Sequence, residues 1–220
     1  MSIKTLYLIL YNFLQLCGWT YFFIKVTKNL LYSQSLPLIY SETHIILEYC
    51  QYGAMLEIIH SLIGIVKSSI FATSIQIIGR SIIVLILQYF PSAISKGYLL
   101  IYFAWSIIEI VRYTYYIMSL IQKENPKFNI PYFLLWCRYS FFVVLYPIGV
   151  SGEMITVWNA RKDFSKYKII KDYNYTYADI VYPIWVLYIP ALIYLYGYLF
   201  KQRKKYLQKN VMVLKEQKIE

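Results

Sequence analysis

Charged residues are scarce in this sequence. Only 15% of its 220 residues are Asp, Glu, Lys or Arg, whereas 59% are hydrophobic, and the mean hydropathy is +0.48. A water-soluble domain of this size could not bury that much apolar surface in one core. The composition therefore argues against a soluble domain and predicts a protein of the lipid bilayer.

Cysteine is also rare, and its three residues are an odd number without C-x-x-C spacing. Cys17, Cys50 and Cys137 each lie in or beside an apolar run. A disulfide framework and a zinc site are therefore not indicated, and we interpret the three cysteines as packing residues.

Acidic residues number 11 against 22 basic ones, which gives a formal net charge of +11. In a soluble protein this excess would suggest a nucleic acid as partner. Here the basic residues collect in loops and in the C-terminal tail, for example at residues 201–205, where a membrane surface explains them more simply. We therefore expect membrane lipid, and no nucleic acid, as a partner.

Six apolar runs are long enough to cross a hydrocarbon core, which takes about 20 helical residues. They lie near residues 6–26, 45–66, 69–90, 98–121, 132–157 and 180–200. Proline, glycine and asparagine mark breaks between them, and neither an internal repeat nor a linker is visible. The sequence thus predicts an all-α polytopic membrane protein, a bundle of six transmembrane helices that forms one domain over residues 1–220.

The basic residues also predict the orientation. With a cytosolic N-terminus, the cytosolic segments hold eleven basic residues and the opposite side holds eight, Lys168 and Lys171 among them. A basic cluster directly after a span, such as residues 201–205, acts strongly on orientation. We therefore expect a basic cytosolic tail over residues 201–220 and, because the span count is even, both termini in the cytosol.

Charged residues at membrane depth are the most informative part of the sequence. There are three acids and three bases, namely Glu57, Arg80, Glu109, Arg112, Arg138 and Glu153. Each would cost about 3 kcal/mol or more if left unpaired in the bilayer. The balance predicts that they point into the bundle, pair or form hydrogen bonds there, and make a polar interior. For all except Glu153, a purely structural ion pair that fixes helix register is an equally good interpretation.

Glu153 lies seven residues after Tyr146, which is two turns along one helix. Both side chains then project from nearly the same face, with Cα atoms about 10 Å apart, and a substrate fits between them. Pro147 and the glycines Gly149 and Gly152 permit a kink there and leave space for a ligand near the backbone. A tyrosine and a carboxylate across a dry pocket form an acid–base couple.

Four motifs in chain order resemble the 3-hydroxyacyl-CoA dehydratases of very-long-chain fatty acid elongation. They are residues 56–60 (LEIIH), 76–80 (QIIGR), 104–113 (AWSIIEIVRY) and 136–139 (WCRY), the last leading into residues 145–153 (LYPIGVSGE). The final segment is similar to the family's R-Y, Y-P-x-G and E signature. The resemblance extends from Tyr7 to Tyr196, nearly the whole chain, although residues 188–193 lack the glycine and second proline expected after Ile-Pro.

This resemblance implies a lyase of the endoplasmic reticulum membrane that removes water from (3R)-3-hydroxyacyl-CoA to give trans-2-enoyl-CoA. It implies no metal and no redox cofactor, and it names acyl-CoA and the other elongation-cycle enzymes, the elongase and the reductases, as partners. Tyr146 and Glu153 are the catalytic candidates, without an assignment of acid and base. Weaker candidates for substrate binding or support are Arg138, Tyr139, Tyr113, Arg112, Glu109 and Gly149.

The depth of the pair agrees with a long, thin substrate. Counted from Pro131, Tyr146 lies fifteen residues into its helix, about 22 Å deep. The pantetheine arm of CoA reaches that depth, while its anionic head stays at the basic cytosolic face and the acyl tail enters an apolar tunnel.

Three other functions compete with this interpretation. A scaffold of the elongation complex without catalysis and a small transporter stay open, because intramembrane charges also line ion paths. A phosphatase is disfavoured. His60-Ser61 and Lys67-Ser68 mimic the spacing of an H-C-x5-R-S loop, but Ser61 cannot supply the thiolate that such a nucleophile requires, and the segment lies in or beside a membrane helix.

Overall fold

The computed structural model describes residues 1–164, 166 and 176–216, and the side chains of all of these except residues 185 and 208–216. Within these residues it has eight α-helices: α1 (Ile3–Leu31), α2 (Leu36–Gly53), α3 (Leu56–Leu62), α4 (Ile70–Tyr89), α5 (Lys96–Glu124), α6 (Tyr132–Ser140), α7 (Phe142–Phe164) and α8 (Tyr177–Glu216). A short 3-10 helix, Pro91–Ala93, connects α4 to α5. The expected all-α fold is confirmed. Lys168, Lys171 and residues 217–220 lie outside the described residues.

Local capping residues set several helix starts. The Ser2 hydroxyl accepts the backbone N–H of Thr5 at the start of α1, and the Ser69 hydroxyl accepts that of Ala72 at the start of α4. Ser95 caps α5 in the same way through Gly97. These hydroxyls satisfy N–H groups that the first helical turn leaves without a backbone partner.

The prediction of one helix over residues 45–66 is wrong. The helix begins earlier, at Leu36, and the chain breaks at Ala54 and Met55 before α3. Tyr11 and Gln15 of α1 contact the chain at this break. The Tyr11 hydroxyl donates to the Gly53 carbonyl oxygen at 3.2 Å. A Cβ on Gly53 would lie 2.7 Å from Nε2 at the end of the flexible Gln15 side chain, so α1 passes close to the backbone here.

The single helix predicted over residues 132–157 is also wrong, since α6 and α7 meet at an angle of 40°. The break lies at Phe141, upstream of the Pro147 and glycine segment where the sequence placed it. Helix α7 continues through Pro147 to Phe164. The other predicted runs, 69–90 and 98–121, agree with α4 and α5 within three residues at each end, while α8 extends well into the basic tail.

Membrane character follows from length and apolarity. Three described helices could each cross a bilayer, namely α1, α4 and the part of α8 from Tyr177 to Leu207. The bent pair α6 and α7 would make a fourth span. Large apolar side chains are exposed on the outer faces, for example Phe13 of α1 and Val186 of α8, as lipid contact requires. The protein is therefore a helical membrane protein, and the count of six spans stays a prediction.

Helix α5 lies at the centre of the fold and packs against both α1 and α7. At one end of the α5–α7 contact the two backbones touch. A Cβ on Gly97 would lie 2.6 Å from the Gly152 carbonyl oxygen, and a Cβ on Gly152 would lie 2.7 Å from the Gly97 carbonyl oxygen. Small residues at such a point let helices approach closely. Gly152 thus contacts a helix, and the expectation that it leaves space for a ligand is wrong.

This contact gives a test of the packing. We expect Gly97→Ala to lower the melting temperature in detergent, because the added methyl group overlaps backbone atoms and overpacking costs about 1–3 kcal/mol. Gly197→Ala in α8 is the matched control, since nothing lies within 4 Å of its added Cβ. Alanine there should leave the melting temperature unchanged or slightly raise it. Equal behaviour of the two variants would contradict the close α5–α7 contact.

Candidate active site

Tyr146 and Glu153 line the same cavity. Both lie on α7, both are buried, with 9% and 6% of their surface exposed, and the cavity has a volume of about 40 Å³. Its wall also includes Gln76 and Arg80 from α4 and Tyr188 from α8. The two residues that the sequence selected by their spacing therefore face one small, buried space.

The carboxylate of Glu153 is held at both oxygens. Trp105 of α5 donates its indole N–H to Oε1 at 3.1 Å, and the Tyr188 hydroxyl of α8 donates to Oε2. Neither donor was predicted as a site residue. Trp105 lies inside the 104–113 motif, and Tyr188 lies in the segment where the last helix departs from the family pattern. Sequence spacing alone gives no sign that either side chain points at Glu153.

Tyr146 differs from Glu153 in its contacts. Its ring packs edge to face against Phe142 and Tyr196, with ring centroids 6.1 Å and 5.9 Å away. Its hydroxyl forms no hydrogen bond to any residue that the structure describes. The phenolic group is therefore held in place by ring packing, in a residue that lines the cavity.

Four of the other intramembrane charges form one buried network. Glu109 of α5 bonds to Arg80 of α4 and also contacts Arg112 at 2.8 Å. Arg112 in turn contacts Glu57 of α3 at 2.7 Å, and the Tyr113 hydroxyl donates to Glu57 at 2.6 Å. The predicted pairing inside the bundle is found, and it ties α3, α4 and α5 together.

Arg80 connects this network to the cavity. Its guanidinium lies over the ring of Trp105, 4.9 Å from the centroid, and it lines the cavity itself. The network thus orients the arginine and supports the tryptophan that holds Glu153. Gly149 lies next to Trp105, because a Cβ there would be in ordinary van der Waals contact with Trp105 Nε1 at 3.5 Å.

A second and much larger cavity, of about 370 Å³, lies beside the first. Its basic lining residues are Lys67, Arg112 and Arg138, and Tyr139 also lines it. Arg138 donates to the Tyr116 hydroxyl at 3.1 Å, and the Tyr139 ring stacks on that of Tyr206 at 4.7 Å. A narrow space of about 30 Å³, lined by Arg138, Gln76 and Tyr146, lies between the two cavities.

The weaker candidates for substrate binding or support therefore lie in three different places. Gly149 lines the small cavity, whereas Arg112, Arg138 and Tyr139 line the large one. Tyr113 and Glu109 belong to the ion network, with no place among the lining residues of these two cavities.

Comparison with known proteins decides the family. The family model described as "Protein tyrosine phosphatase-like protein, PTPLA" matches residues 51–209. The chain belongs to the PTPLA family. This matched segment contains the ion network, both cavity tyrosines and Glu153.

Several curated relatives of the PTPLA family member align over most of its length. The very-long-chain (3R)-3-hydroxyacyl-CoA dehydratase hpo-8 of Caenorhabditis elegans is 36% identical over 217 residues, 94% of this chain and 96% of the relative. The very-long-chain (3R)-3-hydroxyacyl-CoA dehydratase 2 of Homo sapiens is 32% identical over 214 residues, 93% of this chain and 82% of the relative. The probable dehydratase of Schizosaccharomyces pombe is 31% identical over 207 residues, covering 92% and 93%. No solved structure matches.

The phosphatase-like segment of this PTPLA family member carries no nucleophile of the required type. Ser61 bonds to the Ser68 hydroxyl and donates to the Glu57 carbonyl at 2.9 Å. A serine with these partners offers no thiolate, and its neighbours belong to helix α3 and the connection that follows. The segment contributes to the wall of the large cavity instead.

Proposed function

We propose that this chain catalyses the dehydration of (3R)-3-hydroxyacyl-CoA to trans-2-enoyl-CoA, the third step of very-long-chain fatty acid elongation. The observation that carries the proposal is that Tyr146 and Glu153, which we take as the acid–base pair, are buried at one cavity. Full-length relatives whose names state this activity support it. The chemistry is that of a hydro-lyase, and we expect no metal or other cofactor.

Two proton transfers make up the reaction. A base removes the C2 proton, the electron pair of that bond forms the C2–C3 double bond, and the C3–O bond breaks as an acid protonates the leaving hydroxyl to water. We assign the base to Glu153, because two hydrogen-bond donors favour negative charge on its oxygens. Tyr146 lines the same cavity and its hydroxyl forms no hydrogen bond to the described residues, so we assign it as the acid. A proton passed from Glu153 back to Tyr146 resets the pair.

The thioester carbonyl needs a donor as negative charge develops on its oxygen. Among the weaker candidates for substrate binding or support from the sequence, Arg138, Tyr139 and Tyr113 carry suitable donors. Arg80 is better placed, since it shares the cavity with Tyr146 and Glu153 whereas Arg138 and Tyr139 line the large cavity. We therefore assign the carbonyl contact to Arg80.

The two cavities suit the two ends of an acyl-CoA. The large cavity, with Lys67, Arg112 and Arg138, fits the phosphates of the CoA head. The pantetheine arm then passes Gln76 toward Tyr146, and the acyl tail continues along the apolar wall of the small cavity, at Ile75 and Leu192. A volume of about 40 Å³ holds little more than water, so this wall has to open as substrate binds.

We further propose six spans, formed by α1, α2 with α3, α4, α5, α6 with α7, and α8, in the endoplasmic reticulum with both termini cytosolic. The large cavity supports this arrangement. Its lining comes from the start of α1, the connection after α3, the end of α5 and the basic part of α8, all of which are cytosolic in this topology. Substrate and product would then be exchanged with the elongase and the reductases on that side.

Glycosylation tests this topology. An acceptor site inserted into residues 91–95, between α4 and α5, should be glycosylated in microsomes because that segment faces the lumen in the six-span arrangement. The same insertion into residues 125–131, between α5 and α6, should not be modified. The reverse pattern, or modification at both places, would contradict the proposed topology.

The direct test of function is turnover. Protein purified in detergent should convert long-chain (3R)-3-hydroxyacyl-CoA to the trans-2-enoyl-CoA, followed by mass spectrometry of the product. A folded protein that yields no enoyl-CoA would refute the proposal, and acyl-CoA-independent flux in liposomes would favour a transporter.

A further inference from the structure

Both oxygens of Glu153 are occupied by donors from different helices. The indole N–H of Trp105 approaches from α5 and the hydroxyl of Tyr188 approaches from α8, while Glu153 itself is on α7. Two donors on two separate helices fix the plane of a carboxylate more firmly than one, because a rotation of the carboxylate out of this plane weakens both bonds at once. The carboxylate orientation therefore depends on how three helices meet.

Trp105 is fixed on every side. It is 1% exposed, the Arg80 guanidinium covers one face of its ring, and Gly149 lies next to the indole nitrogen. Arg80 is bonded to Glu109, which lies one turn further along α5 on the same face as Trp105. The position of the indole N–H is thus determined by the buried ion network.

Tyr188 is less enclosed. It lies at the surface-facing wall of the small cavity, where its neighbours Leu187 and Ile189 are 67% and 57% exposed. Its ring lies 3.8 Å from the position that a Cβ on Gly79 would take, so α4 approaches it without a side chain in between. Pro183 and Pro190 lie on either side of it within α8, and each removes a helical N–H donor.

We propose that Trp105 and Tyr188 are positioning residues for the dehydration, which hold the Glu153 carboxylate in the orientation needed to accept the C2 proton. This inference rests on the proposed function. Among the residues that the structure describes, helix α8 otherwise supplies only apolar ones to the wall of the small cavity, and the inference gives it a polar role in the reaction. It also gives Tyr188 a reason to be a tyrosine at a place where the surrounding residues face lipid.

The first experiment is Tyr188→Phe, which removes the hydroxyl and keeps the ring. We expect kcat to fall about 10- to 100-fold while KM for the acyl-CoA stays within about twofold, because the donor acts on a catalytic group and not on substrate affinity. Tyr194→Phe is the matched control. It is on the same helix, it is 45% exposed, and its ring contacts Phe71 outside the cavity. It should leave both constants unchanged.

A double-mutant cycle separates positioning from general structure. In a Glu153→Asp background the shortened carboxylate cannot reach the same donors, so Tyr188→Phe should reduce kcat little further. Full additivity of the two changes, or an unchanged kcat in Tyr188→Phe alone, would overturn the inference. Trp105→Phe is the second variant, with its melting temperature measured beside that of the wild type as the folding control. It should show the same loss of kcat and the same non-additivity.

The two proposals fail in different ways. If the wild-type protein forms no enoyl-CoA, the proposed dehydratase function is wrong. If the wild type is active and Glu153→Asp is impaired, but Tyr188→Phe and Trp105→Phe behave as wild type, only the positioning inference is wrong.

Discussion

Glu153→Gln should abolish enoyl-CoA formation, with a loss of kcat of about 10³-fold or more. The substitution keeps the size of the side chain but removes the group that takes the C2 proton. A glutamine also cannot accept from both Trp105 and Tyr188, because its amide nitrogen is a donor, so the hydrogen bond to one of them is lost or reverses its direction. The measurement is turnover of the purified protein on long-chain (3R)-3-hydroxyacyl-CoA in the same detergent as the wild type.

Folding has to be checked beside this activity. We expect the melting temperature of Glu153→Gln to stay close to that of the wild type, since no positively charged partner is left unpaired. Glu124→Gln is a suitable control, because Glu124 pairs with the N-terminal amine and is partly exposed. It should keep full activity. Wild-type turnover in Glu153→Gln would remove this residue from the mechanism.

Tyr146→Phe is the second change with a large expected effect, a loss of kcat of about 10²- to 10⁴-fold. The variant loses only the hydroxyl, which forms no hydrogen bond to the residues that the structure describes, while the ring contacts with Phe142 and Tyr196 remain. The fold should therefore be unaffected. If the proposed acid is correct, the loss should appear in the dehydration step and should not weaken substrate binding.

Tyr196→Phe is the matched control for this change. Tyr196 is the tyrosine packed edge to face on Tyr146, and its own hydroxyl is buried without a hydrogen-bond partner among the described residues. Removing it should leave turnover within about twofold of the wild type. A comparable loss in both variants would mean that packing around residue 146, and not its hydroxyl, supports activity.

Helix positions were predictable where the information is local. Residues 69–90 and 98–121 combine a long apolar run with a serine at the start, and both became helices close to those limits. The breaks at Ala54 and at Phe141 were not predictable in this way. The first depends on Tyr11 and Gln15 of a different helix, which contact the backbone near Gly53. No pattern within the broken segment reveals such a contact.

The site residues were likewise predictable only where the information lies within one helix. The spacing of Tyr146 and Glu153 is a property of one helix, so the sequence was sufficient to place both at one face, and the structure places both at one cavity. Trp105, Arg80 and Tyr188 come from three other helices, and their meeting depends on how α4, α5 and α8 pack against α7. The proposed catalytic roles of all five stay predictions for the experiments above.

The contrast between α5 and α8 has a kinetic consequence. Helices α5 and α7 touch at their backbones through Gly97 and Gly152, so the side of the cavity that these two helices form cannot open. Leu192 on the cavity wall belongs to α8, where Ile189 and Ile193 are 57% and 71% exposed, so this wall can open. An acyl chain that enters past α8 arrives from the surrounding lipid, and its effective concentration is then its mole fraction in the bilayer or micelle. Adding detergent at constant substrate should therefore slow turnover by surface dilution, as for enzymes that draw their substrates from the membrane plane.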